Sequence, residues 1–327
     1  MTQKGALDAG FGPPETGRVT STSPTRGSGA AVLMVLGSCT SLQVGAACAA
    51  RLFPVIGSTA ATFLRLAIAA LVVLAATRPR VRGWSGGQWR SVVLFGLSLA
   101  AMNGSFYEAI ARIPLGTAVT IEFLGPLTLA AVLSRRLRDL VWVVLAAGGV
   151  ALLGVADGIG GGGALDPVGV GFALVAGVFW AAYILASARV GSSVPGSGGL
   201  AVALAVGAVA MAPFGVPGAV TTGTHPHLLL IAAATGLLAS VIPYSLEFAA
   251  LRRLPARVFG VLLSLEPAVA ATAGWLLLGQ RMGPREAVAV GVVVLASAGS
   301  TLTARRDPPG SDGDAALAPV ERAAQPG

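Results

Sequence analysis

Apolar runs of about 20 residues recur along the whole of this chain, each long enough to cross roughly 30 Å of hydrocarbon as a helix. No other feature limits the fold so tightly. Of 327 residues, 54% are hydrophobic and only 11% charged, whereas an ordinary soluble domain has about 25% charged residues. A soluble protein of this composition could not cover its surface. A transmembrane β-barrel would alternate apolar and polar residues in runs of about 10, and no such alternation is present. The reading is an all-α polytopic membrane protein with ten transmembrane helices. They are expected near residues 30–50, 55–77, 90–111, 116–134, 139–156, 168–188, 199–216, 227–250, 257–279 and 285–304. Most of these spans are Ala, Val, Leu and Gly with little amphipathic period, as expected where lipid and neighbouring helices are both apolar.

The formal charge of +8 is almost all arginine, Lys4 being the only lysine. A basic balance can signal nucleic acid. Here the arginines sit in short loops between apolar spans and form no basic stripe with aromatic interleaving, so no nucleic-acid partner is expected. With the N-terminus in the cytoplasm, eleven loop arginines fall on that side and four (Arg51, Arg112, Arg281 and Arg285) on the other. The positive-inside bias thus predicts two cytoplasmic termini. Residues 1–29 are rich in Gly, Pro, Ser and Thr without an apolar h-region, and read as a disordered tail and not as a cleaved signal peptide. Residues 305–327 read as a second tail. Cys39 and Cys48 share the first span, where nine residues at about 100° each set them on opposite faces, unable to pair with each other.

An internal repeat organises the spans. R-I-P-L-G-T-A-V-T-I-E-F-L-G-P-L starts at Arg112 and R-L-P-A-R-V-F-G-V-L-L-S-L-E-P-A at Arg253. Setting Pro114 on Pro255, 141 residues later, also sets Pro126 on Pro267. The offset is five spans, an odd number, so the two halves have opposite orientation in the membrane. A five-plus-five inverted repeat of this kind places a substrate site near midplane where the halves meet. The expected divisions are a first repeat over 30–156, a Gly-rich outer linker over 157–167 and a second repeat over 168–304.

Four of the 14 acidic residues lie inside spans: Glu108, Glu122, Glu247 and Glu266. A charge in hydrocarbon costs about 2.5 kcal/mol or more, which makes such residues candidates for function. Glu266 lies eleven residues past Pro255, about 16 Å along a helix and close to the membrane centre. Pro267 follows at once and leaves a carbonyl one turn earlier without its helical partner. Glu122 and Pro126 form a related pattern one turn apart. A carboxylate so placed can bind a substrate ammonium, carry a proton, or do both in competition; it can also hold two helices together as a structural acid. Glu247 has Arg252 and Arg253 a turn or two beyond, and Glu108 has Arg112 at i+4, so ion pairs are the structural alternative for both. Arg65 is the one cation deep in a span, too deep to snorkel. Its expected partner is one of these glutamates or a substrate carboxylate.

Gln43, Asn103, Tyr183 and Trp180 are further polar candidates for a cavity wall, with interhelical hydrogen bonding as the alternative. Ala270/Gly274 and Ala287/Gly291 have the small-xxx-small spacing that permits close helix approach. Gly158 to Gly163 matches G-x-G-x-x-G literally, but between two spans with no preceding strand and no Walker lysine. His225-Pro226-His227 lacks a third ligand, so no metal and no cofactor is expected. Protease and ATPase motifs are missing as well, and no enzymatic chemistry is predicted.

These residues resemble a family. The ten-span organisation is similar to the EamA-like branch of the drug/metabolite transporter superfamily, and within it to the bacterial threonine and homoserine exporters. The resemblance is carried by S-L-Q-V-G-A and L-F-P-V-I-G (Ser41 to Gly57), L-R-L-A around Arg65, A-M-N with F-Y (Ala101 to Tyr107), Ile113 to Leu127, D-L-V-W-V-V-L-A from Asp139, W-A-A-Y-I-L from Trp180 and G-S-T-L-T near the end of the last span. The most specific segment is I-P-Y-S-L-E-F-A-A-L-R-R-L-P-A-R-V-F-G-V-L-L-S-L-E-P-A (Ile242 to Ala268). It implies a bacterial inner-membrane exporter of small neutral amino acids driven by the proton gradient, with functional residues at Arg65, Asn103, Glu122, Glu247 and Glu266. Two departures are Gln280, where the family often has L-G-E, and Glu108, at a position expected to be uncharged. The expected partners are an amino-acid substrate, protons and the lipid bilayer, and a homodimer is compatible with the reading. Efflux of cationic drugs or other metabolites, and a non-transporting receptor or scaffold, are the alternatives.

Overall fold

Breaks in the spans, more than the spans themselves, give this molecule its shape. The computed structural model describes residues 26–134, 137–154, 165–194, 196–251 and 253–304, and among them all regular structure is helical. The first half holds α1 (Arg26–Ala50), the single turn α2 (Phe53–Ile56), α3 (Ser58–Thr77), α4 (Gly86–Ile110), α5 (Leu115–Glu122), α6 (Leu124–Ser134) and α7 (Leu140–Gly154). The second holds α8 (Pro167–Ser193), α9 (Gly198–Ala219), α10 (Pro226–Gly236), α11 (Ile242–Leu251), α12 (Ala256–Leu263), α13 (Glu266–Leu278) and α14 (Pro284–Thr303). Taking pieces joined by a bend as one segment, nine segments among the described residues are long and apolar enough to cross a membrane, and Leu140–Leu153 is a shorter apolar helix. The protein is all-α and polytopic. The first helix starts at Arg26, four residues before its expected limit. Gly158 to Gly163, most of the 1–29 tail and the 305–327 tail lie outside the described residues.

The helix starts follow local chemistry. Ser85 accepts from the Gln88 amide while the Gln88 side chain accepts from the Ser85 amide, a capping box at the head of α4. Asp166 caps α8 through the Val168 amide at 2.8 Å, with Pro167 in the first turn, where its missing N–H is harmless. Pro226 and Pro284 open α10 and α14 in the same way.

Three spans are discontinuous where proline requires it. The fourth breaks between Glu122 and Leu124, and the ninth between Leu263 and Glu266. The short arms α5 and α12 occupy equivalent positions at the 141-residue offset, and both follow a proline of matching conformation: Pro114 has φ −56° and ψ 144°, Pro255 φ −57° and ψ 139°. The eighth span widens into a π-turn over Leu237–Val241, just before Pro243.

Packing brings the broken spans inward. α3 lies along α9, α4 against α8 and α9, α7 against α14, and α1 against α10, α11 and α13. Glycine sets the closest approaches. A Cβ on Gly125 would come within 1.9 Å of the Gly177 carbonyl oxygen, one on Gly177 within 2.7 Å of the Glu122 carbonyl oxygen, and one on Gly45 within 2.6 Å of the Ala239 nitrogen. Ala287/Gly291 does not behave as its spacing suggests. Ala287 is exposed, and a Cβ on Gly291 would meet nothing within 4 Å, so that face of α14 makes no close contact. Large apolar side chains such as Leu71, Val178 and Leu276 point outward, as a lipid-facing surface requires. Both cysteines are free, Cys39 buried and Cys48 partly so.

Candidate transport site

Pro243 has no N–H, so a carbonyl one turn before it must find a donor elsewhere. In α register that carbonyl belongs to Ala239, and in the π register of this turn to Leu238. Both are satisfied from other helices. Ser41 Oγ donates to the Leu238 oxygen at 2.7 Å, and Arg65 Nη2 to the Ala239 oxygen at 2.8 Å. The widened turn thus fixes a cation in the interior. Arg65 is 5% exposed. Its Nε donates to Ser240 Oγ at 3.2 Å and its Nη1 to Tyr107 Oη at 3.3 Å, with the guanidinium carbon 5.4 Å from the Tyr107 ring centre. Three of its five N–H groups are used in these bonds. All three acceptors are neutral, and no carboxylate among the described residues lies within ion-pair distance of Arg65.

Three of the span acids are linked to one another, and one of them, Glu122, to this cation. Glu266 is the first residue of α13, where the break exposes free backbone amides and the helix dipole favours a carboxylate. Gln43 Nε2 on α1 donates to Glu266 Oε1 at 3.0 Å. Glu122 closes α5, buried like Glu266, and no hydrogen bond among the described residues ties down its carboxyl. It lies within electrostatic reach of both Glu266 and Arg65. Glu247 accepts from Ser38 Oγ at 2.6 Å and is within electrostatic reach of Glu266. Arg253, the alternative structural partner, does not pair with Glu247; its Nη1 rests on Met34 Sδ at 3.4 Å. Arg252 lies outside the described residues.

The aromatic candidates edge the same region. Trp180 packs edge-on against Phe123, ring centres 4.9 Å apart, at the α5–α6 break. Tyr183 lies close to Tyr244 and packs tilted against Phe95, ring centres 5.2 Å apart. Asn103 is buried, but its amide donates to the Leu99 carbonyl of its own helix at 2.8 Å, one turn from Tyr107. Glu108 lies apart. It accepts from Ser58 and pairs with Arg112, as the i+4 spacing implies, and Arg112 lies 4.0 Å from Asp166 and over the Phe172 ring. Ser38, Tyr107, Ser240 and Tyr244 belong to the cluster without having been singled out in the sequence. Tyr107 and Tyr244 do lie in two of the segments that carry the family resemblance.

The arm carrying Glu122 is closed at its far end. Gly279, at φ +66°, turns the chain back so that Gln280 Oε1 accepts from the Leu115 amide at 3.0 Å, capping α5 from the end of α13. A Cβ on Gly116 would come within 2.6 Å of Ala271 Cα. Every residue of α5 is buried, whereas Val258 on the matching arm α12 is 41% exposed. A small open crevice lies at the Gln280 end, lined by Pro114, Thr117, Gln280, Arg281 and Glu286 among others. It contains none of the four span glutamates. The buried charges and this crevice are therefore separate features.

Known proteins are similar to this chain over most of its length. The chain is 40% identical over 278 residues to the threonine/homoserine exporter RhtA of Salmonella typhimurium (strain LT2), covering 85% of this chain and 93% of that protein. It is 39% identical over 277 residues to RhtA of Escherichia coli K12, covering 84% and 92%. The chain belongs to the EamA-like transporter family. The family profile matches residues 167–302, which takes in Glu247 and Glu266, while the full-length relatives extend the likeness over Arg65 and Glu122. A solved structure described only as a crystal structure of a protein shares the fold, with a TM-score of 0.53 at 22% identity over 85% of this EamA-like chain and 98% of that one.

Proposed function

We propose that this protein is a secondary transporter that exports small neutral amino acids of the threonine and homoserine type, by proton antiport. The observation that carries the reading is the buried Arg65, whose bonds among the described residues go to neutral groups, within reach of the buried Glu122, which in turn is within reach of the buried Glu266. A zwitterionic amino acid is complementary to this pattern. Its carboxylate suits the remaining guanidinium N–H groups, and its ammonium suits Glu266 and Glu122. The same acids exchange protons when no ammonium is bound, which couples the two fluxes. Gln43, Trp180, Tyr183 and Tyr244 form the cavity wall, and Glu247 supports it. Asn103 acts through Tyr107 or the Leu99 backbone and not at the substrate. The loop arginines favour an inner-membrane protein with both termini cytoplasmic. The exporters to which the chain is similar support the substrate class.

Purified protein in vesicles tests the reading. Labelled threonine and homoserine should move against their gradient when a pH difference, acid on the outer face, is imposed. Cells expressing the protein should survive excess threonine. Movement of ethidium-like cations with none of threonine would replace this reading with drug efflux, and no movement of either would favour a scaffold.

A further inference from the structure

Gln43 is 2% exposed, and its two amide atoms have unequal fates. Nε2 donates to Glu266, while Oε1 is buried with no hydrogen-bond partner. A buried acceptor left unpaired costs about 1–3 kcal/mol, and here it lies beside the carboxylate assigned to the substrate ammonium. An ammonium has several N–H donors and no acceptor. One donor directed at Glu266 and a second at Gln43 Oε1 would satisfy both groups at once.

We propose that the Gln43 amide makes proton and substrate mutually exclusive at Glu266 by reversing its direction. The proposal rests on the antiport reading above. With Glu266 ionised, the carboxylate only accepts. It holds Gln43 Nε2 and turns Oε1 toward the substrate, so the site offers the ammonium two acceptors. When Glu266 takes up a proton, its new O–H is a donor. The favourable partner is then Gln43 Oε1, reached by a half-turn of the terminal amide. That rotation puts Nε2, a donor, where Oε1 had been. The site thereby loses its negative charge and faces the ammonium with an N–H. Releasing the proton reverses both changes, and the proton is the only species gained or lost. Glu247 from α11, Cys39 from α1 and Glu122 from α5 are the titratable groups facing Glu266, and Arg65 from α3 reaches Glu122. Among the described residues Gln43 is the group hydrogen-bonded to Glu266, and its amide carries both a donor and an acceptor at every pH.

The test is equilibrium binding of L-threonine to the purified full-length protein over a range of pH, for wild type, Gln43→Met and Gln43→Asn. Methionine keeps the length and apolar bulk without either polar atom. Asparagine draws the amide back by one methylene and stands in if the methionine variant does not fold. The wild type should bind threonine more tightly as pH rises. The variants should lose about tenfold or more in affinity at high pH, the equivalent of one hydrogen bond to a charged group, and change little at low pH, so that their pH profile flattens. A wild-type slope in both variants would overturn the role of Gln43 and leave antiport standing, as would an equal loss at every pH, the mark of a merely structural contact. A flat profile in the wild type itself would overturn antiport and the proposal with it.

Discussion

Arg65 donates to the carbonyl of Ala239 at 2.8 Å across 174 residues of sequence. The bond exists because Pro243 cannot supply the helical N–H, so the position of a buried cation is set by an imino acid on another helix.

Pro243→Ala should therefore uncouple stability from activity. A proline inside a helix costs roughly 3 kcal/mol, and part of that should return, raising stability by about 1–2 kcal/mol. The restored amide competes with Arg65 for its acceptor. Thermal unfolding in detergent should shift upward while threonine transport in vesicles falls. A lower melting temperature with unchanged transport would contradict this account.

Arg65→Lys should not be conservative. An ammonium is a compact point charge and cannot bridge Ser240, Tyr107 and Ala239 with a planar fork. Transport should fall about tenfold or more at near-normal expression, with the loss concentrated in substrate affinity. Initial rates over a range of threonine concentrations separate affinity from turnover.

Glu266→Gln removes the ionisable group and keeps the shape. The variant should remain folded in membranes yet fail to move threonine against a gradient, whatever pH difference is imposed. Wild-type uphill efflux would remove Glu266 from the mechanism.

Gly177→Ala should destabilise by about 1–3 kcal/mol through overpacking, because the added methyl would lie 2.7 Å from the Glu122 carbonyl oxygen. Gly171→Ala on the same helix meets nothing within 4 Å and is the matched control, expected to be neutral or slightly stabilising. Thermal melts of the two proteins side by side decide the point.

Glu108→Gln breaks the pair with Arg112, which is partly solvent-exposed. Such pairs contribute about 0–1 kcal/mol. Transport should persist, and the melting temperature should move by no more than about 2 °C. A transport defect would instead place this acid on the substrate path.

Much of the architecture was legible because membranes leave few solutions. Apolar run lengths gave the spans, and the matched prolines at 114 and 255 gave the equivalence of α5 and α12. Glu122, Glu266 and Arg65 stood out because charge inside hydrocarbon is expensive. The partner of Arg65 was not legible. An acid was the natural expectation, and the bonds go instead to a carbonyl, a serine and a tyrosine, selected by the rotation of α3 against the π-turn and α4. Ser38 and Ser240 were hidden for a related reason. Serine in an apolar helix can bond back to its own carbonyl one turn earlier, as Ser245 does to Val241, and sequence alone does not say which serines turn outward instead. The π-turn was foreshadowed only by Pro243. Ala287/Gly291 is the opposite case, a familiar spacing on a face that no helix among the described residues approaches closely.

The meeting of Gly125 with Gly177 has a mechanical consequence. Where the two glycines touch, bare backbone has no rotamers to absorb a shift, and beside them the Trp180 ring of α8 is set against Phe123. Displacing α8 must drag the elbow at Phe123 with it, and the acid at position 122 rides on that elbow. A movement of α8 at this contact is thereby passed to the backbone that carries the carboxyl group.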